Sequence, residues 1–275
     1  VTPSKTATLP PPIAIPRPAL GPIARFLVAI LPSIIGFLSL FVAWHVAAAY
    51  LVQSVLFPTP LATFGKGLEL ALSGQLWIQI GASLKRIILG FAAGSLIAIP
   101  IGLAIGSFRT FRKLVEPWTE CLRFIPSVAL ITIAVIWFGI GEESKIFLII
   151  YATVFIVILN TAAGVSAITP NKIRAAQALG ATRWQVFAFV GLPATVPYIL
   201  TGMRLAMANA FTTIVAAEMI AANAGLGVML WDGRMFMMIE EIFVSLVCLG
   251  ALGFITDRLF RLAILRFAGR FSPTM

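Results

Sequence analysis

RAAQALGATRWQVFAFVGLP, running from Arg174 to Pro193, is the stretch on which the reading of this chain turns. It is a polar, basic break between long apolar runs. Thr169-Pro170-Asn171 supplies a helix start just before it, and Lys172–Leu179 makes about two turns. Ile173, Ala176 and Leu179 fall near one face, with Lys172 and Arg174 towards the other. Gly180 ends this helix at low conformational cost. Thr182 caps a second helix, Arg183–Val190, which Pro193 stops. The spacing predicts a helix–turn–helix exposed to water. A plain connection between two apolar runs needs only a few residues.

The surroundings of this break are a membrane protein. The chain has 275 residues, of which 60% are apolar and only 11% charged. A soluble domain of this size carries about a quarter of its residues as charges. The apolar runs are long and continuous rather than short and alternating, so helices are expected and a barrel is not. The fold class is therefore all-α, a polytopic membrane protein. Six spans are expected: 26–52, 87–108, 124–141, 146–168, 197–220 and 239–259. A short amphipathic helix is placed near 64–72, and an interfacial one over 114–124. The Pro-rich residues 1–22 read as a disordered tail, followed by a single transmembrane domain over 23–270 with the loop 169–196. The uncharged run 184–203 is split, because Pro193 and Pro197 remove backbone donors.

The formal charge of +10 is not a nucleic-acid signal, since the basic residues stand in small groups beside apolar runs. With both termini and the 169–196 loop on one side, that side holds 14 of the 20 Lys and Arg and the other holds 5, with Arg204 inside a span. This asymmetry puts the loop and both termini in the cytoplasm. Cys121 and Cys248 read as small membrane-helix residues, and the single His45 excludes a multi-His metal site. Gly90 and Gly94, then Gly102 and Gly106, form small-xxx-small pairs that permit close helix packing. No paired carboxylates or Ser/Lys dyad point to an enzyme. No internal repeat points to an ion-coupled secondary transporter.

Ala175, Ala176, Gly180, Val190, Leu192 and Pro193 together resemble the cytoplasmic signature of the permease subunits of bacterial ABC importers. Relatives usually have Glu before the Ala pair, where this chain has Arg174. SLKRIILGFAAGSLIAIPIGLAIG (83–106), LRFIPSVALITIAVIWFGIG (122–141), LPATVPYILTGMRLAMANAF (192–211) and AAEMIAANAGLGVML (216–230) are similar to the branch that imports nitrate, bicarbonate, taurine and alkanesulfonates. The resemblance implies a type I ABC importer permease (MetI-like) fold. It implies two permease copies, most simply a homodimer, two ABC ATPase subunits and a periplasmic substrate-binding protein. ATP and Mg belong to the ATPase, and this chain has no phosphate-binding motif of its own. Arg174, Ala175, Ala176, Gly180, Ala181, Leu192 and Pro193 become the ATPase-coupling residues. A neutral or heterocyclic nutrient is the alternative substrate.

Charges inside the spans give the pathway and gate candidates. Arg204 lies about two turns into the fifth span, and such a cation must face water, meet a partner or snorkel to the interface. Arg123 is read as interfacial or pathway-lining. Glu218, near the outer end of the same span, is read either as an outer gate or as half of a structural ion pair. Met207 and Asn209 are placed near the pathway on the strength of the family resemblance. The Gly225-Leu226-Gly227 turn follows, and Glu240 and Glu241 open the last span.

Overall fold

The structure, a computed structural model, describes residues 22–52 and 54–268. Apart from Pro22, the Pro-rich tail lies outside the described residues. The chain divides into two units, 1–53 and 54–275. In the first, α1 (Pro22–Val46) runs into a π-helical turn, Ala47–Val52. Residues Ile34–Val52 are long and apolar enough to cross a membrane, and Leu38, Phe41 and Tyr50 are exposed as lipid-facing side chains are.

The second unit opens with α2 (Pro60–Leu72). Thr59 caps it by accepting from the Ala62 N–H, and Pro60 occupies the first turn, where no donor is missed. α3 (Gln75–Ser107) is 33 residues long and starts well before the expected Ile87. Lys85 and Arg86 do not end the helix outside the apolar region. Arg86 is buried and paired, so its charge is compatible with a helix interior.

The expected third span takes another form. α4 (Arg109–Leu122) is followed by a 3-10 turn, Ser127–Leu130, and the eight-residue α5 (Ile131–Phe138). The two arms meet at 85°. α5 alone extends about 12 Å, against a hydrocarbon core of about 30 Å. Pro126, extended at φ −62° and ψ 135°, and the preceding turn at Arg123 set the bend. Five helices can span by length and composition, or six if the bent pair counts as one.

α6 (Glu142–Ser166) follows, then α7 (Pro170–Ala178) and the single turn α8 (Arg183–Val186). A π turn, Phe187–Gly191, leads into α9 (Leu192–Ala221). Contrary to the expected break, residues 183–220 form one apolar helical segment. The π turn shifts the bonding register, with the Leu192 N–H donating to the Phe187 carbonyl. Pro193 then falls in the first turn of α9. Thr195 and Thr201 donate their hydroxyls to the Gly191 and Pro197 carbonyls at 2.8 and 2.9 Å. The π turn carries the chain through Pro193 without a break, and the two threonines add side-chain bonds to carbonyls one turn back on the same helix. α10 (Leu226–Met235) and α11 (Ile239–Ala268) complete the chain, with Glu240 and Glu241 in the first turn of α11 as expected.

Glycines set how closely the central helices approach. A Cβ on Gly90 would lie 2.5 Å from Ile149 Cβ, on Gly94 2.9 Å from Thr153 Cβ, and on Gly102 2.6 Å from Thr161 Cβ; on Gly106 it would collide with Val165. Ala98 and Val157, both fully buried, share the core cluster between these levels. Numbering rises together on both helices, so α3 and α6 run parallel, joined along a seam that carries only glycines and Ala98 on the α3 side. α9 packs antiparallel on α6, with Gly164 against Thr195 and Tyr198 and Gly202 against Asn160.

Candidate functional site

Three places carry chemistry. The first is the segment between α6 and α9. α7 ends in a Schellman motif: Gly180 N–H donates to Gln177 O at 2.9 Å and Ala181 N–H to Ala176 O at 3.1 Å. Gly180 sits at φ +84°, yet a Cβ there would meet nothing within 4 Å. The glycine serves the backbone conformation and not a steric contact. Thr182 and Gln185 then form a capping box, with reciprocal bonds of 2.8 and 3.3 Å. The expected second helix thus starts where the sequence put it. Arg174 and Ala175 are exposed, Ala176 and Ala181 half-buried. Leu179 is 90% and Trp184 73% exposed, large apolar groups on an otherwise polar protrusion. Leu192 and Pro193 lie apart from this tip, at the root of α9.

The second place is a cavity of about 600 Å³ at the bend between α4 and α5, walled by α6 and α9. It brings together two of the sequence candidates, Arg123 and Asn209. Ser127 and Thr213 hydrogen-bond across it at 3.0 Å, joining the start of the 3-10 turn to α9. Asn209 donates to Ala152 O at 3.0 Å and Tyr151 to Leu122 O at 2.6 Å. The Arg123 guanidinium stands 4.8 Å from the Phe124 ring centroid and forms no ion pair among the described residues. The other candidates lie elsewhere. Met207 is buried in the core with Ile87 and Ile149. Arg204 makes a bidentate pair with Asp257 of α11, at 2.5 and 2.8 Å, with both side chains part-exposed.

Glu218 belongs to the third place, a charge cluster at the end of the helices opposite the α7 protrusion. Its side chain is fully buried, and it accepts from Ser83 at 2.8 Å, Arg86 at 2.7 Å and the Gly227 N–H at 2.9 Å. Arg86 also donates twice to Glu142, at 2.6 and 2.7 Å, and to Ala224 O at 2.5 Å. Lys145, 2% exposed, donates to Gly141 O at 2.8 Å. The 223–227 turn is fastened from three helices. Gln79 accepts from Gly225 N–H at 2.6 Å, Ser83 from Leu226 N–H at 2.8 Å, and Ser245 donates to Leu226 O. Gly225, at φ +140°, lies so close to the Glu218 carboxylate that no Cβ fits. The geometry makes Glu218 half of a buried ion pair, one of the two readings its sequence position allowed.

Sequence reasoning missed Ser83, Arg86, Glu142, Lys145 and Asp257 as partners. One signal was available: Leu76, Trp77, Ile78 and Ile80 continue the apolar pattern ahead of Lys85-Arg86, marking a charge inside a helix rather than at its edge. Ser127, Tyr151 and Thr213 carried no such signal.

Residues 87–268 match the family of binding-protein-dependent transport system inner membrane components. The chain belongs to this family. This permease is 40% identical over 220 residues to a probable ABC transporter permease protein of Brucella melitensis, covering 80% of this chain and 89% of that one. It is 38% identical to the taurine transport system permease protein of Escherichia coli K12, over 78% of this chain and 80% of the relative. It is 34% identical to the nitrate import permease protein of a Synechocystis species, over 66% of each. Among solved structures, the methionine ABC transporter in an inward-facing conformation superposes with a TM-score of 0.56, covering 70% of this chain and 95% of that one at 18% identity. That likeness establishes the type I importer-permease fold. The permease is a multi-pass inner-membrane protein.

Proposed function

We propose that this permease, paired with a second copy of itself, forms the translocation pathway of an ATP-driven importer for a small anion of the taurine, sulfonate or nitrate class. The observation that carries the proposal is the α7 protrusion. Its backbone is fixed at both ends by local caps, its helix is short and rigid, and Leu179 and Trp184 stand in the open. A permease has no internal use for such a piece; a groove on an ATPase does. Arg174, Ala175, Ala176, Gly180 and Ala181 form the inserted tip, and Leu192-Pro193 pass its movement to α9. ATP and Mg act on the ATPase, and this chain is not itself an enzyme. The basic bias places the protrusion and both termini in the cytoplasm, and a periplasmic binding protein delivers substrate at the opposite end.

The choice of an anion rests on the relatives and on the central cavity. Arg123 brings a cation with no ion pair among the described residues, and the second amide hydrogen of Asn209 and one hydroxyl hydrogen of the Ser127–Thr213 pair are left to donate to sulfonate or nitrate oxygens. Arg204, neutralised by Asp257, is assigned to an inner gate between α9 and α11. Met207 supports α9 from the core, and Glu218 holds the outer end. The test is uptake of labelled taurine and nitrate into proteoliposomes holding the permease with its ATPase and binding protein. Arg123→Gln should raise KM about tenfold, the worth of one charge-assisted contact. Unchanged KM removes Arg123 from the pathway, and uptake of neutral nutrients with anions refused overturns the anion reading.

A further inference from the structure

A second cavity, of about 770 Å³, lies under the α7 protrusion and takes no part in the pathway described above. One wall is the last turn of α3 and the residues just past the ends of α3 and α6, including Leu103, Phe108 and Ile168; the other is Arg183, Trp184 and Phe187, from α8 and the π turn. Trp184 and Phe187 stack with ring centroids 5.4 Å apart. The lining is almost wholly apolar, and it sits at the depth where two membrane-crossing helices end. Arg183 at its edge is exposed and makes no ion pair or hydrogen bond among the described residues. Arg109, next in the chain to the lining residue Phe108, is likewise exposed and unpaired. Arg112, one turn on, is already engaged, donating to Ile105 O, Gly106 O and Ser166.

An apolar chamber opening at the membrane boundary, with the free Arg183 guanidinium and a Trp at its rim, has the composition of a site for an anionic amphiphile. We propose that this cavity binds an anionic phospholipid, its acyl chain among Leu103, Ile168 and Phe187 and its phosphate on Arg183. Charge complementarity decides the headgroup. Depth and the apolar lining decide for a lipid over a free phosphate, which would gain nothing from the chamber. The bound chain fills the space between the protrusion and the ends of α3 and α6. It braces the segment that must transmit movement, including the π turn that lines the same cavity. The lipid site itself depends on membrane insertion, and only its bracing role rests on the coupling proposed above.

The test is native mass spectrometry of the full-length permease titrated with phosphatidylglycerol or phosphatidylcholine in mild detergent. The wild type should retain phosphatidylglycerol in preference to phosphatidylcholine. Arg183→Ala, an exposed substitution that leaves the fold alone, should lower retention about fivefold. Ala104→Leu, which narrows the chamber, should lower it as well, while Arg258→Ala, at an exposed cation beyond the cavity lining, should not. Equal retention of both lipids, retention unchanged in Arg183→Ala or Ala104→Leu, or full displacement of the lipid by millimolar inorganic phosphate would each overturn the proposal.

Discussion

The protruding end of the membrane body leaves Leu179 and Trp184 in the open, while the opposite end buries Arg86, Lys145 and Glu218. The protrusion is held by bonds between residues a few positions apart, all of them backbone or capping contacts. The buried end is held by side chains that meet from α3, α6, α9 and α11. One region takes its shape from bonds within one turn and leaves Leu179 and Trp184 exposed. The other has no meaning outside the assembled fold, and every charge in it already has its counterpart. The contrast separates an end with exposed apolar groups from an end whose charges are satisfied inside the fold.

The largest effect should come from unbalancing the closed end. Arg86→Met leaves the Glu218 carboxylate buried and unpaired, a loss of about 3–5 kcal/mol. Melting of the purified permease followed by size exclusion should show it, and adding Glu218→Gln should restore part of the loss. A melting point matching the wild type would mean that water reaches the cluster. Next is the seam between α3 and α6. Gly102→Leu pushes into Thr161 and should cost about 1–3 kcal/mol through overpacking; Gly250→Leu, where nothing lies within 4 Å, serves as the control.

A smaller and purely local effect is expected at the protruding end. Gly180→Val imposes an αL backbone on a β-branched residue, about 1–2 kcal/mol confined to the end of α7. The melting point should hold while stimulation of ATP hydrolysis by the permease falls. Loss of stability with coupling intact would reverse the comparison. The smallest effect is expected for Arg204 and Asp257, a part-exposed pair between the two ends. A double-mutant cycle there should return about 0.2–1 kcal/mol of stability, so a large transport defect in Arg204→Ala would report on the pathway and not on folding.

The same contrast explains what was legible beforehand. Pro170, Gly180 and the Thr182–Gln185 pair act within one turn of themselves, so the protrusion could be read residue by residue. Glu218 finds Arg86 across 132 positions of sequence, and no local pattern announces that partner. Lys85-Arg86 therefore looked like the edge of a span when it was the interior of a 33-residue helix. Apolar length misled in the other direction at 124–141, where only Ile131–Phe138 forms an α-helix; the 85° bend falls ahead of it, where the interfacial helix was expected to end. Pro193 looked like a break because the π turn that places it in the first turn of α9 is a matter of geometry. The Gly90–Gly106 pairs were visible as small residues, but the side chains of α6 that they admit were not.

That seam has a mechanical consequence. Side chains between two helices act as springs, because each can change rotamer and absorb part of a displacement. Along Gly90, Gly94, Gly102 and Gly106 there are no such springs on one side, and the opposing groups are mostly β-branched and stiff. α3 and α6 therefore move as a single beam. A push delivered beside residue 106 reaches the level of residue 90 without being taken up on the way.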